Sequence, residues 1–161
     1  MPNWCENTLI VTGNTTDLVC FKHQAKTEGG DFSFEPFLPM PEMLSAATAS
    51  FPKVLTKEDK ARIKATGFKD WYERNCKVLG TKWDVEGTIM ESSKTKLGYT
   101  FNSAWSPPIQ GVINISKQYP KLTFSLDFDE PGMDFAGTVV IRNGKILREE
   151  NRKSGWNNEL E

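Results

Sequence analysis

Between Cys5 and Val11 the side chains alternate, with Cys5, Asn7, Leu9 and Val11 on one side and Trp4, Glu6, Thr8 and Ile10 on the other. That period of two predicts a β-strand, closed by Gly13-Asn14. Beyond it Thr15 and Thr16 offer N-caps, Asp17 falls in a first turn, and Leu18, Phe21 and Ala25 recur at helical spacing up to Gly29-Gly30. A first βα unit follows from this. Asp31 to Glu35 reads as a short second strand, ended by Pro36, Pro39 and Pro41, which have no N–H to give a ladder.

From Glu42 to Lys96 the pattern changes. The small-residue tract Ser45 to Ser50 leads into a long helical pattern from about Thr56, interrupted or bent at Thr66-Gly67. Its second half places Phe68, Trp71, Tyr72, Asn75, Cys76 and Leu79 on one stripe before Gly80 as C′ residue. A helix with such a stripe needs a partner, and the uncovered face of the sheet is the expected one. Sheet pattern returns over Tyr99 to Trp105. Ser106 is then the expected cap of a helix with Pro107 at N1 and Ile109, Val112 and Ile113 on its apolar side.

The clearest strand is Lys121 to Phe128, with Leu122, Phe124, Leu126 and Phe128 inward and Thr123, Ser125 and Asp127 outward. Phe135 to Ile141 and Lys145 to Glu149 flank Asn143-Gly144, a type I′ hairpin signal. The last dozen residues are polar apart from Trp156 and Leu160 and are expected to fray. This order predicts an α+β, ferredoxin-like βαββαβ sandwich over residues 1–150. It carries a mainly helical insertion at 42–96, between the second and third strands, a C-terminal hairpin, and a frayed tail at 151–161.

At 161 residues the chain suits one domain, burying ~70% of its unfolded surface. Lys plus Arg at 20 against Asp plus Glu at 21 leaves a net charge of -1, so no global field draws duplex DNA or an anionic membrane. No stretch reaches the ~20 apolar residues that span a bilayer. Cys5, Cys20 and Cys76 lack regular spacing, and no basic leader precedes an apolar run, so a cytoplasmic protein with free thiols is expected. Cys5 and Cys76 read as small buried hydrophobes.

Candidate chemistry is sparse. Cys20 and His23, one helical turn apart, make at most half a zinc site, and no Cys-x-x-Cys or His-x-x-x-His spacing completes it. The same pair as a nucleophile has no third orienting group. Asp127, Asp129, Glu130 and Asp134 gather around Pro131-Gly132 without the spacing of an EF-hand loop. Phosphate-cradling glycine loops and Gly-x-Ser-x-Gly elbows are absent from the sequence. No metal or cofactor is expected, and no complete set of nucleophile, base and stabilising donors can be assembled for an enzyme.

Asn3-Trp4-Cys5-Glu6-Asn7-Thr8-Leu9-Ile10, Gly80-Thr81-Lys82-Trp83-Asp84 and Ala104-Trp105-Ser106-Pro107-Pro108 together resemble the YubB-like proteins carried by plasmids and phages. The resemblance implies a ferredoxin-like domain and carriage by a mobile element, and attaches no activity. Where the family has an Asn-Trp pair before the glycine, this chain has Val78-Leu79.

The leading functional expectation is a non-catalytic ligand- or protein-binding module. Its site would be lined by Trp4, Trp83, Trp105 and Pro107, with Glu6, Asn7 and Asp84 beside them, although all three tryptophans also suit core anchors. The partner is an unidentified protein or small molecule. The alternative is single-stranded RNA or DNA stacked on Tyr99 and Phe101 near Lys96, in partial imitation of an RNA-recognition strand. The matching first-strand position is Ile10, and core packing explains the same aromatics.

Overall fold

The computed structural model describes residues 2–45 and 55–155. Strand β1 (Trp4–Thr12) runs in the middle of a six-stranded antiparallel sheet of order β2-β3-β1-β4-β5-β6. Its partners are β3 (Lys96–Ala104) on one side and β4 (Thr123–Glu130) on the other. β2 (Thr88–Ser92) forms one edge. β5 (Phe135–Arg142) and β6 (Lys145–Arg152) extend the other. The first four strands keep the ferredoxin-like order, and the terminal hairpin widens the sheet. Its turn is the expected one, with Asn143 and Gly144 both at positive φ, 48° and 76°.

The second strand is not where the alternation of Asp31 to Glu35 puts it. That segment makes only an isolated bridge between Phe32 and Gly87, while Thr88–Ser92, inside the expected helical insertion, supplies the edge strand. The helical insertion therefore lies between the first helix and β2, not between the second and third strands. The reason is chemical. Asp84 accepts hydrogen bonds from Ser33 Oγ (2.8 Å), the Phe34 N–H (2.8 Å) and the Glu35 N–H (3.0 Å), so a carboxylate takes the donors that a neighbouring strand would have used.

Helix α1 (Thr15–Ala25) buries Leu18, Phe21 and Ala25 as expected, but its N-cap is Asn14 rather than a threonine. Asn14 Oδ1 accepts from the Asp17 N–H, and its amide donates to Asp17 Oδ2, both at 2.9 Å. A short helix α2 (Glu42–Ser45) follows, and Ala46 to Ser50 of the small-residue tract lie outside the described residues. Helix α3 (Lys57–Thr66) opens on a reciprocal Thr56/Asp59 capping box and stops at Gly67, φ 88°. Helix α4 (Trp71–Val78) then starts afresh with Asp70 as cap.

Helix α5 (Ile109–Ser116) begins two residues later than the Ser-Pro signal implies. Pro108 holds the cap position, and the Ser106 hydroxyl donates instead to Gly80 O at 2.6 Å.

Among the described residues the main helix–sheet packing falls on one face of the sheet. α1 lies against β3, α5 against β4 and β5, and α4 against α5. The expectation that α4 covers the other face is overturned by what it buries, Arg74 and Asn75. The Arg74 guanidinium donates to Leu38 O and Pro39 O, and the Asn75 amide donates to Lys82 O at 2.9 Å. These bonds stitch α4 into loops of the helix layer. Phe68, Trp71 and Tyr72 are half-buried, and Cys76 is exposed rather than packed.

The core forms where the helices meet the inward side chains of the strands. Phe32 contacts Phe21, Tyr99 and Phe101 at ring-centroid distances of 6.3, 5.4 and 5.4 Å. Tyr99 and Phe101 are buried there, which removes them as base-stacking platforms: the outward residues of β3 are Thr100 and Asn102. Lys96 is half-buried and ion-paired with Glu91 at 3.3 Å.

The chain remains ordered past 150. β6 runs to Arg152, and buried Ser154 donates through its hydroxyl to Asp129 Oδ1 and through its N–H to Asp134 Oδ1 (3.1 Å). Residues 151–155 are thus held, and Trp156 and Leu160 lie outside the described residues.

The Tyr99 hydroxyl is buried without a hydrogen-bond partner among the described residues, and burial pushes its pKa up. An orphaned polar atom costs about 1–3 kcal/mol. Tyr99→Phe is therefore expected to raise the unfolding free energy by about 1 kcal/mol in urea titration, and a loss of that size would mean that the hydroxyl has a partner.

Candidate functional site

The three sequence motifs converge on one end of the sheet. Trp4 opens β1 directly opposite Ala104, and the Trp105 N–H donates to Asn3 O at 2.8 Å, which draws the Ala104-Trp105-Ser106 turn against the first strand. The Gly80 to Asp84 stretch closes over the same end. Thr81 donates to Ala104 O (2.8 Å), Gly80 O accepts from Ser106, and Asp84 holds the 33–35 segment and its own neighbour, the Val85 N–H (2.7 Å). Gly80 turns at φ 83°, a conformation open to glycine at little cost, and hands the chain from α4 into this stretch.

This knot brings Trp83 onto Trp4, with ring centroids 6.4 Å apart and tilted by 37°. Both rings stay in solvent, 39% and 46% exposed, and the Lys82 ammonium sits 4.5 Å above the Trp83 ring. Trp105 is 49% exposed and held at φ 71°, where a bulky side chain costs about 1–2 kcal/mol. It makes no ring contact with the other two among the described residues. The tryptophans are thus surface residues, and two of the three form a pair. Pro107 is half-buried behind them at the approach to α5.

From Trp4 the outward side of β1 continues through Glu6 and Thr8 onto the sheet face that no helix covers among the described residues. There the strands enclose a shallow groove of about 610 Å³. Two cross-strand rows form its floor. Thr88, Thr100, Thr8 and Asp127 face one another in register, and beside them run Asn102, Glu6 and Asp129. Glu86 closes one end and Arg152 the other, the latter paired with Asp127 at 2.6 Å. Among the described residues four carboxylates face this space against one guanidinium. The outward hydroxyls and acids lie at alternating strand positions, but only the sheet register reveals that they share a floor.

Asn7, set beside Glu6 in sequence, points the opposite way. It is 3% exposed on the core side, where its amide donates to Cys5 O (3.0 Å) and Ser103 Oγ (2.9 Å) while Oδ1 has no partner. Its amide is thus engaged on the core side of β1. Asp84, also expected at the site, spends both oxygens on the 33–35 segment and Val85. The acidic cluster divides likewise. Asp127 and Asp129 face the groove, whereas buried Glu130 accepts from the Gly132 and Met133 N–H groups, each at 2.8 Å, and Asp134 accepts from Ser154. Cys20 and His23 lie in solvent on α1, and among the described residues no group of three or more His, Cys, Asp or Glu is placed to hold a metal.

A family model described as the ferredoxin-like domain in Api92-like protein matches residues 81–159, the stretch from the closing knot through the terminal hairpin. Among solved structures, protein api92 from Yersinia pseudotuberculosis resembles this chain with a TM-score of 0.60 over 96% of this chain and 99% of that one, at 11% identity. Identity that low speaks for the fold alone. No curated protein matches the sequence.

Two measurements follow from this geometry. Asp84→Ala strips acceptors from three backbone N–H groups and a hydroxyl and is expected to cost about 2 kcal/mol in chemical denaturation. Trp83→Ala, at a half-exposed ring, is expected to cost about 1 kcal/mol and leave the circular dichroism spectrum unchanged; unfolding by Trp83→Ala would make that ring a core anchor.

Burial pushes the Cys5 thiol from an ordinary 9.0 up to about 12, partly opposed by its hydrogen bond with Ser103. Folding thus favours the protonated thiol, and that contribution is whole below about 9 and is lost as pH climbs towards 12. A thiol reagent at pH 8 is expected to modify exposed Cys20 and Cys76 promptly and Cys5 only after denaturant is added.

Proposed function

We propose that this protein is a non-catalytic binding module, an accessory protein of a mobile element, whose ligand or partner occupies the open sheet face beside Trp4 and Trp83. The observation that carries this reading is the exposed Trp4–Trp83 pair, with Trp4 two residues along β1 from Glu6 of a groove that no helix covers among the described residues. Large aromatics left half in water give up burial that would stabilise the fold, and are favoured where they anchor a partner. The strained backbone at Trp105 supports the same view, since its ring recovers little of that strain through packing. Carriage by a plasmid or phage rests on the sequence resemblance.

Single-stranded nucleic acid is the weaker reading. Tyr99 and Phe101 lie in the core, and the open face presents carboxylates to any phosphate backbone.

The test is a set of ¹H–¹⁵N correlation spectra with four probes: an arginine-rich peptide, a glutamate-rich peptide, a mixed nucleotide pool and an oligouridylate. At least one is expected to shift the Trp4 and Trp83 indole signals together with Glu6, Thr8 and Asn102. Shifts confined to the helix layer, or none at millimolar probe, would remove the open face as the site.

A further inference from the structure

Resting on the open-face reading above, we infer that the partner is an extended, arginine- or lysine-bearing stretch of polypeptide laid across the groove with one cationic side chain at the tryptophan pair. The first ground is charge complementarity. Glu6, Glu86, Asp127 and Asp129 face the groove, and Arg152, its single cation among the described residues, is already paired with Asp127. Glu6 lies directly opposite Asp129 in the β1–β4 register, and like charges so placed are mutually destabilising. Asp129 is bonded by Ser154 and Gly155, which leaves Glu6 and Glu86 as carboxylates of this face without a hydrogen bond or ion pair among the described residues. A cation bound there relieves a repulsion that the free protein carries.

The second ground is independent of the carboxylates. The Lys82 ammonium stands 4.5 Å over the Trp83 ring, so an internal cation already occupies the aromatic surface beside Trp4. It marks that ring as a cation seat, and a side chain of the partner would take its place or use Trp4.

The third ground is the floor. Thr88, Thr100 and Thr8 give hydroxyls and Asn102 an amide, groups that donate to and accept from a peptide backbone. From Thr88 on β2 to Asp127 on β4 there are three strand steps, ~14 Å, which matches about four residues of extended chain.

The experiment is calorimetric titration of the full chain at low salt with an end-blocked eight-residue peptide of alternating arginine and serine. Its glutamate–serine counterpart, spermine and an oligouridylate serve as competitors, and indole NMR reports the location. The arginine peptide is expected to bind at the tryptophan pair. Adding 0.3 M salt, or the double change Glu6→Gln and Glu86→Gln, is expected to weaken it roughly five-fold or more. Lys82→Ala, by freeing the Trp83 face, is expected to tighten it ~2–5-fold. Glu6 and Glu86 are exposed and Lys82 half-buried, and a correlation spectrum checks that each substitution leaves the fold intact. If the glutamate peptide or the oligouridylate shifts the same indoles in place of the arginine peptide, the cationic assignment is wrong while the open-face site stands. Spermine binding as tightly as the peptide would overturn a polypeptide partner. If none of the four moves Trp4 or Trp83, both readings fall together.

Discussion

The Asp84 carboxylate is the joint on which this molecule is arranged. It accepts from Ser33, Phe34 and Glu35 on one side and from Val85 on its own, so two stretches about fifty residues apart in sequence meet without a β-ladder between them. Three consequences follow from this contact. Phe32 and Phe34 are directed into the core as part of the helix layer, where they pack against Phe21 and Tyr99. The edge of the sheet beside β3 is left free for Thr88–Ser92. And the residue immediately before Asp84, Trp83, is set down on Trp4 at the end of the sheet. The motif that looks like a binding signature is in large part a fastening, and the tryptophan is what the fastening presents.

The uncovered face is explained by the same economy of contacts. α1 and α5 both pack on one side, as a split βαβ order requires, and the inserted helices had two places to go. α4 takes the helix layer because the groups it buries are polar and find their partners there: the Arg74 guanidinium meets the carbonyls of Leu38 and Pro39, and Asn75 meets Lys82 O. On a face lined by threonines and acids an arginine would have found carboxylates but no room for the apolar half of the helix. A sheet with one wet face is ordinary for antiparallel architecture. The unusual part is that its wettest stretch adjoins two half-exposed tryptophan rings.

Much of the fold is legible in the sequence because β1 and β4 alternate cleanly and the terminal hairpin carries an Asn-Gly turn. β1, β4 and the Asn-Gly hairpin are read from period two and turn chemistry, and α1 from the spacing of Leu18, Phe21 and Ala25. β2 escapes that reading for a physical reason. It is a five-residue edge with a register shift between Ile89 and Glu91, exposed along most of its length, and so carries no inward face to mark it. Asp31 to Glu35 imitates a strand since two phenylalanines two residues apart are needed for burial in either conformation. α4 misleads in the opposite sense: a stripe of aromatics in sequence is half-buried, while the buried positions are an arginine and an asparagine whose partners lie in distant loops. Of the candidate site, the sequence shows the outward placement of Trp4 and Glu6 on β1, but Asn7 is one residue from Glu6 and so on the opposite face, and Thr8, Thr100, Asn102 and Asp127 become neighbours only through cross-strand register.

The charges on the open face also bear on why the sheet can remain uncovered. A six-stranded antiparallel sheet with a flat apolar face or a bare edge invites pairing with another copy. Here the outer strand β6 carries Arg148, Glu149, Glu150 and Arg152 around the exposed Ile146 and Leu147, and the central floor is threonine, amide and carboxylate. Solvation of those groups is what stabilises the face in water, and it makes stable covering by a purely apolar surface unfavourable, since each carboxylate would have to be stripped of water without a partner. A partner that replaces the water must therefore bring donors and positive charge to the carboxylates and something flat or cationic to the tryptophans. The groove thus constrains what could cover it through the cost of desolvation as much as through attraction, and the constraint follows from register alone: the alternation that sends Leu9, Phe124 and Leu126 inward sends Thr8, Ser125 and Asp127 out.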